Sequence, residues 1–143
     1  MKQIPEAAFD ILDDKPTGYL ATVRDDGRLS VNPVALMFDG AHIRVSTTKD
    51  RKKYRNLVAD PRVAVAIPHR NNPNRYVEVR GRVTMEDDAD RSFIDSIAHH
   101  YMGVDTYPFD VPGAERVTLT IHAEQVSMPA IPLEDDPPGA PDR

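Results

Sequence analysis

The chain has 143 residues, no cysteine and a formal charge of −5 at pH 7. That length suits one domain, which buries roughly 70% of the surface its unfolded chain exposes, and the lack of cysteine excludes disulfides and thiolate metal sites. An acidic balance without tryptophan argues against bulk nucleic-acid binding, and the absence of a signal-like apolar start or of ~20 consecutive apolar residues makes a cytoplasmic location the expectation.

Residues 5–12 read as a short amphipathic helix, with Pro5 in its first turn and Ala8, Ile11 and Leu12 at helical spacing. Residues 19–23 read as a strand, and residues 24–28 as a hairpin turn in which Gly27 supplies the positive φ. A second strand is expected over residues 29–38, with Pro33 inside it. Proline cannot donate to a ladder, so Pro33 marks an edge, a bulge, or a place where something other than a strand approaches. Asp39 and Gly40 form the next turn, and residues 42–46 the third strand.

The sign of the charge then inverts: five of the six charged residues from Lys49 to Arg55 are cations. Asp50 is the expected N-cap of a helix whose apolar face is Tyr54, Leu57 and Val58 and whose end is Asp60-Pro61. A helix N-terminus offers unpaired N–H groups and the positive end of the macrodipole, so Arg51 and Lys53 make a seat for a phosphate there. Ser46, Thr47 and Thr48 add hydroxyl donors just upstream. Composition alone is equally met by a solvated basic helix face.

Residues 62–67 read as a strand and residues 68–74 as a turn-rich loop. Residues 75–85 alternate, with Val77, Val79, Gly81 and Val83 on one side, as in a half-buried antiparallel strand. The acidic residues 86–90 suit the start of a third helix carrying Phe93, Ile94, Ile97 and Tyr101 on one stripe, and residues 116–126 alternate as a closing strand. From Pro129 the chain is acidic and proline-rich, so a domain over residues 1–130 and a disordered tail over residues 131–143 are expected. Short strands at hairpin spacing without βαβ alternation favour a mainly β fold, a small antiparallel barrel flanked by two or three helices.

No nucleophile elbow, metal-ligand spacing or glycine-rich nucleotide loop is present, and His42, His69, His99, His100 and His122 form no ligating run. No metal site and no catalytic acid or nucleophile is therefore expected. An anion site on a small barrel remains.

In chain order, Gly18-Tyr-Leu-Ala-Thr-Val, Asp26-Gly-Arg, Ser30-Val-Asn-Pro-Val, Ile43-Arg-Val-Ser-Thr-Thr, Arg51-Lys-Lys-Tyr-Arg-Asn-Leu, Asp60-Pro-Arg-Val-Ala-Val and Val77-Glu-Val-Arg-Gly-Arg-Val stand over residues 5–126. This ordered set resembles the pyridoxamine 5′-phosphate oxidase-like split β-barrel superfamily, and within it the branch that binds the deazaflavin coenzyme F420. The resemblance implies a homodimer with two symmetric cofactor sites at the subunit interface. It places the deazaflavin, or FMN in other members, along the strand bearing Asn32, Pro33 and Val34, with the phosphate at Ser46, Thr47, Thr48, Arg51 and Lys53, and Asn56 in support.

The polyglutamate tail of the deazaflavin is an extended polyanion, and Lys49, Lys52, Arg55, Arg70 and Arg75 are cations that would track it. The implied activity is hydride transfer from the reduced deazaflavin to a conjugated small molecule such as an enone or quinone, with the cofactor performing the chemistry. Two alternatives stand beside it: an FMN-dependent oxidase or reductase, and a non-catalytic deazaflavin carrier or sensor. Pyridoxamine phosphate oxidases carry an arginine- and histidine-containing motif near the C-terminus, where this chain is acidic and proline-rich. Residues 101–109 combine aromatics, glycine and proline and read either as a pocket wall or lid, or as a helix end packed on the barrel.

Overall fold

Two strands that follow one another in the chain lie at opposite edges of the same sheet. In the computed structural model, which describes residues 2–129, a 3-10 turn (Glu6–Ala8) and helix α1 (Phe9–Asp13) lead into strands β1 (Thr17–Val23), β2 (Leu29–Ala35), β3 (Met37–Phe38) and β4 (Ile43–Thr48). Helix α2 (Lys52–Ala59), strands β5 (Arg62–Pro68) and β6 (Tyr76–Asp87), helix α3 (Ser92–Met102) and strand β7 (Arg116–Ser127) follow. The tail expected over residues 131–143 lies outside the described residues.

The sheet order is β2-β1-β5-β6-β7-β4-β3, with every neighbouring pair antiparallel. Only Leu36 separates β2 from β3. A single extended residue spans at most about 3.6 Å, so the sheet must curl until its two edges meet, and the result is a split β-barrel.

The single strand expected over residues 29–38 therefore breaks at Leu36. This side chain is fully buried, and its backbone groups turn to a tyrosine instead of a neighbouring strand. Leu36 N–H donates to the Tyr101 hydroxyl at 3.1 Å, and the hydroxyl proton faces the carbonyls of Pro16 at 2.7 Å and Leu36 at 3.1 Å. Pro33 lies on edge strand β2 opposite Tyr19, one of the settings its missing N–H allows.

The barrel interior is filled by the alternating inward residues, among them Leu20, Ile43, Val45, Val65, Val77, Val79 and Leu119. Phe9 of α1 packs on the core with its ring edge against Phe38, 4.9 Å between centroids. Gly81 sits at a bulge between β6 and β7, where a Cβ would lie 2.0 Å from the His122 carbonyl oxygen. No side chain fits there.

Two helix expectations change. Strand β6 stays paired with β7 as far as Asp87 opposite Val117, so the acidic run finishes a strand and α3 begins only at Ser92. Asp88, 6% exposed, then caps α3 from upstream by accepting the N–H groups of Phe93 (3.1 Å) and Ile94 (2.9 Å). In α2, Asp50 is not the N-cap; its carboxylate accepts the Thr48 hydroxyl, and Arg51 occupies the cap position. Tyr54 and Leu57 face the barrel as expected, but Val58 is exposed and Asn56 is buried in its place. The cause is a hydrogen bond from Asn56 Nδ2 to Thr22 Oγ1 of β1, 3.0 Å long. Among the described residues no helix is long and apolar enough to cross a membrane.

Replacing Tyr101 by phenylalanine leaves the Leu36 N–H and the Pro16 and Leu36 carbonyls without their hydroxyl partner. A loss of about 1–3 kcal/mol in unfolding free energy is expected, measured by urea denaturation at unchanged m-value.

Candidate functional site

Strand β4 and helix α2 are joined by a three-residue turn, residues 49–51. The turn is closed by the Arg51 N–H on the Thr48 carbonyl (3.1 Å) and by the Thr48 hydroxyl on Asp50. It projects Arg51 and Lys53 over the end of β4. They meet Ser46 and Thr47 of β4, Pro33, Val34 and Ala35 of β2, and Ile94 and Ile97 of α3 around a cleft of about 180 Å³. Tyr107 and Arg116 complete the lining. One wall is thus cationic and the other apolar.

Lys53 is the electrostatic centre of this cleft. Burial pushes its ammonium below the usual lysine value, and the neighbouring Arg51 and Arg116 push it further in the same direction. Among the described residues no carboxylate pairs with it. A desolvated cation beside two others is unfavourable in the free protein, and an anion in the cleft removes that penalty. The first turn of α2, which carries no side-chain cap, adds unpaired N–H groups and the positive end of a short dipole.

Arg116 is only 9% exposed although it opens a strand. Its Nε and Nη2 donate to the two Asp110 carboxylate oxygens at 2.8 and 2.6 Å, and Nη1 donates to Ser46 Oγ at 3.3 Å. Its guanidinium carbon lies 4.8 Å from the Tyr107 ring centroid, within cation–π range. The hydrogen bond from Arg116 holds the Asp110 carboxyl below the usual carboxylate range, against the opposing effect of burial, and Arg91 adds a further bond at 3.0 Å.

Six of the expected site residues therefore line one cleft: Pro33, Val34, Ser46, Thr47, Arg51 and Lys53. The other four stand outside its lining. Asn32 and Lys52 are exposed on β2 and α2, Thr48 is engaged with Asp50, and Asn56, 1% exposed, ties α2 to β1 while its Oδ1 has no partner among the described residues. Of the cations expected along a polyanionic tail, four are engaged within the chain. Lys49 pairs with Asp87 and Glu115, Arg70 with Asp14, and Arg75 with Asp10 and the Ala7 carbonyl. Arg55 donates Nη1 to the Asp50 carbonyl at 3.1 Å, and Lys52 is exposed on α2.

Residues 101–109 divide between both expectations: Tyr101 is a helix residue that packs on the barrel, whereas Tyr107 lines the cleft. Arg116 and Asp110 carried no sequence signal. Arg116 reads as an ordinary polar position at a strand start, and only the pairing of β7 with β4, which sets it opposite Thr48, brings it to the site. A larger cavity of about 670 Å³ lies elsewhere, lined by Arg44 together with Glu86, Asp87, Asp88 and Asp90. Its dominant charge has the wrong sign for an anion.

Residues 4–128 match the protein family described as pyridoxamine 5′-phosphate oxidase. Among solved structures, an F420 reductase is 35% identical to this chain with a TM-score of 0.76, over 87% of this chain and 98% of its own. A conserved hypothetical protein of Mycobacterium tuberculosis (23% identity, TM-score 0.68, 90% of this chain and 89% of its own) shares the fold. So does a pyridoxamine 5′-phosphate oxidase-related, FMN-binding protein of Nostoc punctiforme (16%, 0.64, 88% and 84%). No match is found among curated proteins.

The depressed Lys53 value has a measurable sign. An anion binds best while Lys53 is charged, so affinity for sulfate, which keeps its charge throughout, should fall as pH rises through the Lys53 value below that of an ordinary lysine. Calorimetric titration across the alkaline range measures this. Lys53→Met should bind sulfate more weakly and show no fall in that window.

Proposed function

The chain belongs to the pyridoxamine 5′-phosphate oxidase family, and from that membership we propose that it is an oxidoreductase that uses coenzyme F420 to reduce a conjugated small molecule such as an enone or quinone. The observation that carries the proposal is the set of three cations, Arg51, Lys53 and Arg116, facing an apolar wall across one cleft, with Lys53 desolvated and without a carboxylate partner among the described residues. The 35% identity to an F420 reductase that this chain spans almost completely supports the choice of deazaflavin. The residues present fit such a group: a charge-neutralising end, hydroxyls at Ser46 and Thr47, and an apolar face at Val34, Ile94 and Ile97.

When bound, the reduced coenzyme supplies the hydride. The chain supplies position and charge. Arg51 and Lys53 neutralise the phosphate and Ser46 and Thr47 orient it. Pro33 and Val34 give a strand edge with no N–H at Pro33 to satisfy, beside the exposed Asn32. Ile94, Ile97 and Tyr107 keep water from the apolar wall. Lys52 and Arg55, exposed on α2, would meet an acidic tail. FMN is the second candidate, because the same cations suit a single phosphate and a protein described as FMN-binding shares the fold.

We further propose that a second copy of the chain covers the outer face of β1 and β2. Leu29 and Val31 on edge strand β2 are 72% and 64% exposed, and Tyr19 on β1 is 45% exposed. Leu29, Val31 and Pro33 stand opposite Val23, Ala21 and Tyr19, so all six share one face. That apolar face adjoins the cleft through Pro33.

Fluorescence titration with coenzyme F420 and with FMN tests the cofactor. Binding of F420 is expected, with Arg51→Ala and Lys53→Ala each weakening it by about ten- to a hundredfold, the loss of a hydrogen bond to a charged group. Unchanged affinity in both variants removes the phosphate seat, and binding of FMN alone reverses the choice of cofactor. Analytical ultracentrifugation tests the assembly: the wild type should sediment as a dimer and Val31→Glu as a monomer with reduced cofactor affinity.

A further inference from the structure

We infer that Asp110 is a positioning residue for the anion seat, holding the Arg116 guanidinium so that its Nη1 stands beside Ser46 Oγ as a fixed third donor to a bound phosphate. This rests on the phosphate-seat reading of the cleft given above and goes beyond it, since neither Asp110 nor Arg116 belongs to the strand end and basic helix that reading began from.

The geometry is specific. A guanidinium has five N–H donors in a rigid plane, and here one edge, Nε and Nη2, is occupied by the Asp110 carboxylate at 2.8 and 2.6 Å. Two parallel bonds of that length fix the plane as well as the distance. The remaining edge is thereby turned toward β4, where Nη1 reaches Ser46 Oγ at 3.3 Å, a loose bond that leaves donor capacity for a better acceptor. The Tyr107 ring covers one guanidinium face.

Asp110 is itself held. Arg91 donates to the same Oδ2 at 3.0 Å, and the Asp110 and Arg116 side chains are only 12% and 7% exposed. The loop that carries Asp110 is fastened a second time where the Tyr107 N–H donates to Asp95 Oδ1 at 2.9 Å. Both ends of the clasp are therefore immobilised.

The proposal has an unusual sign. A carboxylate close to an anion site repels the anion, so deleting its charge should strengthen binding if charge were all that mattered. Positioning predicts the reverse. Asp110→Asn keeps the side-chain shape, removes the negative charge and leaves Arg116 without its two-oxygen clamp. Its affinity should fall although the site has become more positive.

The experiment is a double-mutant cycle read by fluorescence titration with coenzyme F420 and with FMN, comparing wild type, Asp110→Asn, Arg116→Gln and the double variant. Asp110→Asn and Arg116→Gln should each raise Kd about tenfold, within the range of couplings between charged groups in direct contact. In the Arg116→Gln background, Asp110→Asn should leave Kd unchanged or lower it. A general loss of structure would weaken binding equally in both backgrounds, and that result overturns the proposal. So does an unchanged or tighter Kd in Asp110→Asn alone, and an unchanged Kd in Arg116→Gln overturns it even if Asp110→Asn fails to fold. Arg51→Ala and Lys53→Ala separate the two levels: if both too have no effect, or if the wild type binds neither cofactor, the phosphate-seat reading falls and this inference with it. If either of them weakens binding while Asp110→Asn does not, only the role of Asp110 is lost.

Discussion

The structure depends on a constraint of one residue. Leu36 is all that lies between the two edge strands β2 and β3, so no flat arrangement of the seven strands is compatible with chain connectivity. The sheet has to close on itself at this seam, and the seam lacks ladder partners for its own backbone. The Tyr101 hydroxyl meets that need from outside the barrel, contacting both backbone groups of Leu36 and the carbonyl of Pro16. One phenol thus joins the end of α3 to the barrel. It also fixes the helix that contributes Ile94 and Ile97 to the cleft.

The position of the cleft follows from the same closure. Residues 33–35 end β2 just before the seam, and Ser46 and Thr47 end β4 beside it, so the two strand ends face each other where the edges meet. Helix α2 is anchored by Leu57 in the core and by Asn56 on Thr22. That anchoring directs Lys53 inward, where burial and its cationic neighbours act on it. An overall charge of −5 says nothing about this place. What matters within a few ångströms is that Lys53 has no carboxylate of its own among the described residues, while Arg116 has its charge balanced by Asp110. The first of these cations stands without a counter-charge among the described residues, and the second is oriented by its partner. Arginine suits the second role because its planar fork can satisfy a carboxylate with one edge and offer the other.

The outer face of β1 and β2 is the complement of the cleft. Edge strands in monomeric proteins are usually protected by charge, proline or cover, yet β2 has exposed Leu29 and Val31 and carries its proline beside the cleft. The protection expected of an isolated protein is missing on the side where the site is open. On the assembly proposed above, a second copy of the chain would bury the apolar face and wall the cleft together.

Much of this was legible in the residues alone. Period-two alternation in β6 and β7, glycine turns at Gly27 and Gly40, and the sign inversion after β4 are local properties, and local properties survive in a sequence. They located the strands, the mainly β class and the Arg51–Lys53 side of the cleft. Other features were decided by tertiary structure because they depend on which strands become neighbours. The break at Leu36 follows from edge closure, the late start of α3 from the length of the β6–β7 ladder, and the burial of Asn56 in place of Val58 from a bond to a strand 34 positions away. Arg116 shows the limit most clearly. Its partners are a loop carboxylate six residues back and a serine seventy residues back, and no pattern in the chain links them until β7 pairs with β4. Sequence determined which charges were available to hold an anion, and the register of that pairing decided which of them face the cleft, because a side chain's electrostatic role is set by its neighbours in space.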